Sequence, residues 1–325
     1  MIRPEISVLM PVASARYLGP ALDSLLSQTL TTFELVLVDD ARDDETRDAI
    51  DRAAAADNRI RIVRAAAPGG LAALLNEGLD ACRAPLVARA DADDIYHRER
   101  LARQAQAIVG RPGLLALSCG YWRIAADGKR LWRLRPETDA ARLRFRTLIG
   151  CPLLHPGAMF RRDAVMALGG YDTALWTAQD NDLWARLAQV GDLGNLPEPL
   201  VEWREHGGTV SAARGPQGIA VSNGVSQRHL AAYLGTAPAI EDVAAARALW
   251  RREAAPRPPA EIDRGDRFLR RLLRAARSRE SRDVRRHFAR HVAGAYLNQA
   301  RWLVRTHRAE AARMASRAAA WMARP

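Results

Sequence analysis

Val87-Ala88-Arg89-Ala90-Asp91-Ala92-Asp93-Asp94-Ile95 joins a short apolar run to three carboxylates within four residues. The run reads as the end of a buried strand that stops in an acidic turn. Three neighbouring anions repel one another unless a cation or hydrogen-bond donors offset the charge. Asp91 and Asp93 are two apart, so in extended backbone they point the same way and can share one divalent metal. Oxygen ligands suit magnesium or manganese. The competing reading is a solvated turn that caps a helix starting near His97, and the flanking sequence has to choose.

Upstream, strand and helix patterns alternate. Ile6-Ser7-Val8-Leu9-Met10-Pro11-Val12 reads as a buried first strand, and Leu18, Leu22, Leu25 and Leu26 then recur at helical spacing as far as Gln28. Phe33 to Val38 is a second strand ending at Asp39-Asp40. A helix over 44–57 and an alternating strand over 59–63 follow. Pro68-Gly69-Gly70 breaks the chain before a helix over 71–82, and Ala84 to Ala88 leads into the acidic stretch. Such alternation predicts an α/β fold, with a mainly parallel central sheet and helices on both faces. Ligands of such sheets bind beyond the carboxyl ends of the strands, where both Asp39-Asp40 and Asp91-Ala92-Asp93-Asp94 fall. A dinucleotide site would need a Gly-x-Gly-x-x-Gly turn after the first strand, and Pro11-Val12-Ala13-Ser14-Ala15 has no glycine. A Gly-rich phosphate loop ending in lysine is also absent, as is the Arg/Lys activation loop of a nucleotidyltransferase.

Downstream, 98–109 reads as a helix and 114–124 as a strand. Asp127-Gly128 is a hairpin turn signal leading into Lys129 to Leu134. A helix over 136–148 and a strand over 158–161 precede the turn Gly169-Gly170-Tyr171-Asp172. Gln179-Asp180-Asn181-Asp182 comes next, with a helix over 183–190. A carboxylate there caps a helix N-terminus or does chemistry. Trp203-Arg204-Glu205-His206-Gly207-Gly208-Thr209 places a ligand-capable histidine in a glycine-rich turn.

The chain of 325 residues fits about two domains, and 48% apolar with 26% charged residues is ordinary for a globular protein. Its charge of +12 is unevenly placed. Residues 1–235 balance 28 basic against 28 acidic side chains, whereas 236–325 hold 21 arginines against nine acids. The division expected is therefore 1–235 and a basic helical region, 236–325. In that region 266–276 and 292–304 carry apolar stripes, the first with Phe268, Leu269, Leu272 and Leu273. They either lie on an anionic membrane or pack as a bundle or a dimer. No nucleic-acid motif accompanies the charge. Cys82, Cys119 and Cys151 suggest neither a disulfide framework nor a zinc site. Without a signal peptide or a long apolar run, a cytoplasmic protein is expected, with peripheral attachment to the inner face of the membrane if the basic helices bind lipid.

In this order the motifs resemble the family 2 glycosyltransferases, which have the GT-A fold and invert anomeric configuration. The likeness runs from residue 6 to about 211. It rests on the first strand, Asp39-Asp40, Gly70-Leu71 through Asn76-Glu77-Gly78-Leu79, and Asp91-Ala92-Asp93-Asp94 with Arg100, Leu101 and Gln104. His155-Pro156, Gly169 to Asp172, Gln179 to Trp184 and Arg204-Glu205-His206 complete it. The resemblance implies a glycosyltransferase of hexosyltransferase type, acting on a nucleoside-diphosphate sugar, UDP-sugars favoured. A glycan or lipid-linked acceptor would belong to bacterial surface or extracellular polysaccharide biosynthesis. It further implies that Pro11, Val12, Asp39, Asp40, Gly70, Asn76, Asp91 and Ala92 hold the nucleotide sugar. Asp93 and His206 would bind the metal, Mn2+ or Mg2+, and Asp180 would be the general base. Two departures stand out. Gln179 replaces an acid that usually precedes the base, so Asp180 works alone or Asp182 takes over, and the first loop lacks an aromatic-Asn pair. The alternative is a degenerate GT-A domain that binds nucleotide, membrane or a partner.

Overall fold

The computed structural model describes residues 4–64, 69–206, 215–251, 257–304 and 307–323. Pro68, Gly207, Gly208, Thr209 and Pro256 lie outside them. Two compact units emerge: residues 1–140 with 151–218, and residues 141–150 with 219–325. The division thus falls at Gly218 rather than after residue 235. Charge changes at 236, but packing changes earlier, because Leu230 belongs to the core of the second unit.

In the first unit, β1 (Ile6–Val12), β2 (Phe33–Asp39), β3 (Ile60–Arg64) and β4 (Leu86–Arg89) form a parallel block in the order β3-β2-β1-β4. Every residue of β2 is buried, as expected for a strand covered on both faces. The intervening helices are α1 (Leu18–Leu26), α2 (Asp44–Ala56) and α3 (Gly70–Ala81). The chain moves from β1 outward to β3 and then returns to the other side of β1 for β4. That reversal makes the carboxyl ends of β1 and β4 a topological switch point, where such sheets open a crevice.

The sheet continues through β8 (Met159–Arg161), β6 (Leu114–Ile124), β9 (Asp192–Arg204) and β5 (Ile95–Tyr96), and β7 (Arg130–Leu134) pairs with β6 outside this path. The Asp127-Gly128 hairpin is present, with β6 and β7 antiparallel. The long β9 carries no clear signal in the sequence, because Pro197 and Pro199 argue against a strand interior. It survives because its register against β6 slips around Cys119 and Gly120, where the prolines fall. Three further elements complete this unit: α4 (Arg100–Val109), α6 (Arg162–Ala167) and α7 (Gln179–Leu187); α5 (Ala140–Arg146) belongs from Ala141 on to the second unit. The segment expected to be helical over 136–148 is helical only in its middle. α7 begins four residues earlier than expected, which puts Asp180 and Asp182 in its first turn.

The second unit contains α8 (Gly215–Leu234) from Ile219 on, α9 (Ile240–Trp250), α10 (Pro259–Ala275), α11 (Arg282–Leu303) and α12 (Arg308–Met322). Its core includes Phe268, Leu269, Leu272, Val292, Ala295, Tyr296 and Leu303. The apolar stripes of the basic helices therefore line the unit's own interior, except at Trp302 and Val304, which are exposed. Asp266 is its polar hub, accepting from Tyr296 Oη and Trp321 Nε1, each at 2.7 Å, and from Arg270 Nε at 2.6 Å. No helix among the described residues is long and apolar enough to cross a membrane.

Candidate active site

The parallel register sets the site. Val12 is paired with Asp39, Asp40 N–H donates to Val12 O at 3.0 Å, and Ala90 N–H donates to Leu9 O at 2.9 Å. Both acidic turns thus leave the same edge of the sheet on either side of β1. Asp39 is already engaged: it accepts from Arg64 Nη1 at 2.6 Å and from Ala41 N–H at 2.9 Å. Asp40 makes no ion pair among the described residues. Val12 is fully buried, so its side chain belongs to the core while Pro11 remains partly exposed.

Asp91, Asp93 and Asp94 offer carboxylate oxygens that all lie within 4.8 Å of one another. The β4 end supplies counter-charge from below. Arg89, 1% exposed, donates to Asp91 Oδ1, and the equally buried Arg100 donates to Arg89 O at 2.7 Å and to Gln104 Oε1 at 3.0 Å. Tyr96 Oη brackets the turn, accepting from Asp91 N–H at 2.6 Å and donating to Asp91 O at 2.9 Å. From β9, Arg204 N–H reaches Asp94 Oδ1 at 2.8 Å, Arg204 Nε reaches Asp93 O at 2.8 Å, and His206 Nε2 lies 2.8 Å from Asp93 Oδ2. Ala92, partly buried, packs beneath this turn against the core.

These donors do not remove the strain of assembling three acids. Burial, then repulsion from Asp91 and Asp93, pushes the Asp94 carboxyl well above the usual carboxylate range. Burial and Asp91 also push Asp93 up, against the opposing contact from His206. Asp94 Oδ2 is buried with no hydrogen-bond partner. An anionic oxygen buried in that condition would cost several kcal/mol, and either a proton, as the raised pKa indicates, or a bound cation relieves it. The donor set, carboxylate oxygens without thiolate, fits a hard divalent ion of the Mn2+ or Mg2+ kind.

The second acidic cluster is positioned by a relay of polar contacts. Asn76 on α3 accepts from Tyr171 N–H at 2.8 Å and donates to Tyr171 O at 2.9 Å, which uses both ends of its amide. Asn76 therefore holds the Gly169–Tyr171 turn. Gly170 has φ +72°, and a Cβ there would sit 2.5 Å from Asn76 Oδ1. Arg186 on α7 donates to Gly170 O at 2.8 Å, Leu168 O at 3.0 Å and Asp182 Oδ2 at 2.7 Å. Asp182 is thus buried and ion-paired. Asp180 is partly exposed, its Oδ1 accepting from Asn181 N–H at 2.8 Å, with Cys151 Sγ 3.6 Å from its Oδ2. The residue before this helix turn, Ala178, has φ +61°, a left-handed conformation that L residues other than glycine rarely adopt. Gly70, at φ +73°, is exposed at the start of α3.

Sequence reading thus names the carboxylates but misses Arg89, Tyr96 and Cys151. An arginine at the end of an otherwise apolar strand, two before an aspartate, was the available signal for the first. Tyr96 and Cys151 carry no comparable local signal.

An α/β sheet with an acid cluster beyond the ends of its parallel strands is the architecture of the GT-A enzymes, and solved structures bear out the fold. The crystal structure of S. aureus TarS 1-349 in complex with UDP-GlcNAc matches with a TM-score of 0.60 at 16% identity, over 96% of this chain and 89% of that one. The mannosyltransferase PcManGT from Pyrobaculum calidifontis, in complex with GDP-Man and Mn2+, matches with 0.56 at 20% identity, over 99% and 88%. The chain belongs to glycosyl transferase family 2, whose sequence model matches residues 7–169. It is 32% identical over 207 residues to the putative glycosyltransferase EpsE of Bacillus subtilis, covering 62% of this chain and 73% of that protein. It is 33% identical over 218 residues to the O-antigen biosynthesis protein RfbC of Myxococcus xanthus, covering 66% of this chain but spanning only 17% of that protein. The chain is a glycosyltransferase with relatives in bacterial polysaccharide and O-antigen biosynthesis.

Proposed function

We propose that the protein transfers a sugar from a nucleoside-diphosphate sugar to an acceptor hydroxyl in a single displacement that inverts the anomeric centre. The observation that carries this reading is the buried, unpartnered Asp94 Oδ2 within the Asp91, Asp93 and Asp94 cluster at the switch point of the sheet. A divalent cation held by these carboxylates would offset the charge that develops on the departing diphosphate. Asp40 is the acid of the first pair left for the nucleotide, because Asp39 is taken by Arg64. Two structural neighbours are in complex with UDP-GlcNAc and with GDP-Man, which supports a nucleotide-sugar donor here and leaves UDP-sugars as our first choice.

Asp180 is the general base in this scheme. The acceptor oxygen attacks the anomeric carbon, its proton passes to Asp180, and the carbon–oxygen bond to the diphosphate breaks. Asp182 is unsuited to the role because Arg186 holds it as a buried carboxylate. The acceptor is a glycan or a lipid-linked glycan, in keeping with the relatives in O-antigen and polysaccharide biosynthesis. A thermal-shift panel of nucleoside diphosphates and their sugars, with and without manganese, tests the donor site. At a hundred times Kd a bound ligand adds about 2.7 kcal/mol of stability. Metal-dependent stabilisation by at least one nucleotide is expected. Its absence across the panel would return the protein to the reading of a degenerate GT-A domain.

A further inference from the structure

The hairpin strand β7 presents an exposed surface that carries none of the residues assigned to the transfer. Lys129, Arg130, Leu131, Trp132, Arg133, Leu134 and Arg135 are consecutive and all exposed. Trp132 is 48% exposed and Leu131 49%. Arg130 is paired with Glu202, but Lys129, Arg133 and Arg135 make no ion pair among the described residues. Among the described residues the strand bonds to β6 on one side only, and its other edge has no strand partner.

We propose that the β6–β7 hairpin docks the enzyme on an anionic lipid bilayer. Trp132 and Leu134 project from one face of the strand and Arg133 and Arg135 from the other, so a hairpin lying edge-on sets the indole and a leucine in the headgroup region while the cations meet lipid phosphates. A second copy of the chain is the poorer partner. Antiparallel pairing of two β7 edges about Trp132 would set Lys129 against Arg135 at both ends, and charged edge strands resist such pairing. The hairpin is also stiff enough to act as a fixed foot. Trp132 packs on Tyr121 at 5.8 Å, Tyr121 packs edge-on to Trp203 at 5.4 Å, and the Arg123 guanidinium lies 3.8 Å from the Trp203 ring centre. Arg204 ties this foot to the site. Its Nη1 donates to Ala126 O at 3.0 Å in the hairpin turn, while its Nε holds Asp93 O. A hairpin seated on lipid would therefore bring the acidic cluster close to a bilayer.

The test is co-sedimentation of the full chain with vesicles of phosphatidylcholine alone and with phosphatidylglycerol added. Wild-type protein is expected to bind only the anionic vesicles. The variant Lys129→Gln/Arg133→Gln/Arg135→Gln should bind them about a hundredfold more weakly, since each cation near such a surface contributes a factor of about five. A control of equal charge change in the other unit, Arg301→Gln/Arg308→Gln/Arg313→Gln, should stay within a few-fold of wild type. Equal losses in the two variants would mean net charge alone acts and would overturn the proposal, as would wild-type binding to neither vesicle. Trp132→Phe gives an independent readout that does not depend on folding of the charge variants. Quenching of tryptophan emission by brominated lipid should fall sharply in Trp132→Phe, and unchanged quenching would place another surface on the bilayer.

Discussion

Asp180 and Asp182 stand two positions apart at the start of α7, yet their surroundings assign them different work. Asp182 is locked by the charged Arg186 at 2.7 Å, whereas the partly exposed Asp180 accepts only from Asn181 N–H and, at 3.6 Å, from the weak thiol donor of Cys151. Asp180→Asn should therefore lower the turnover number by a factor of about 100 or more, the usual contribution of a general base, with little change in melting temperature. Asp182→Asn should act mainly on stability. Turnover and melting curves measured on both variants check the assignment, and the opposite pattern would transfer the base to Asp182. At the acid cluster, Asp93→Ala should abolish manganese-dependent stabilisation by nucleotide while leaving the metal-free melting temperature near wild type. Spacing alone identifies Asp91 and Asp93 as a pair. What spacing does not show is that Arg89, Arg100 and Tyr96 are built beneath them, because those contacts join residues that fold together only in three dimensions.

α7 shows how an element's start can matter more than its existence. Its helical character is legible, but the period of its apolar residues begins at Leu183, so the polar first turn reads as loop. The structure starts the helix at Gln179 behind a left-handed Ala178 with no side-chain cap. Holding an alanine there costs about 1–2 kcal/mol. Ala178→Gly should raise stability by up to about 1 kcal/mol in urea denaturation, after the added entropy of the unfolded glycine is subtracted. The turn that α7 rests on behaves oppositely. Gly170→Ala adds a Cβ 2.5 Å from Asn76 Oδ1 at positive φ, and a loss of about 2 kcal/mol is expected from the same measurement. The family resemblance implies a donor-site role for Asn76. Its amide is bound to Tyr171, 95 residues away, and we assign it the holding of this turn.

For the molecule as a whole, the contrast between its two units is one of charge and of how each core is closed. In the helical unit a partly buried carboxylate, Asp266, is a hub of hydrogen bonds. Burial alone would raise the Asp266 pKa, but hydrogen bonds from Arg270, Trp321 and Tyr296 outweigh it and hold the carboxyl below its ordinary range. A folded-state pKa below the unfolded one contributes stability above the unfolded value, near 4, and that stability is lost as pH falls through the folded value. Melting curves from pH 6 to pH 2.5 should show this decline in wild type, and Asp266→Asn should flatten it at the cost of lower stability at pH 6. The sequence by itself determined the alternating α/β half, the places where its strands end in aspartates, and the confinement of excess charge to the last ninety residues. Each of those is a local pattern of hydrophobic period, turn chemistry or composition. Only the tertiary structure decided that a proline-bearing segment forms β9, that the amphipathic stripes of α10 and α11 face their own core, and which carboxylates remain unpaired. Those outcomes depend on partners far along the chain, whose contacts no local pattern encodes.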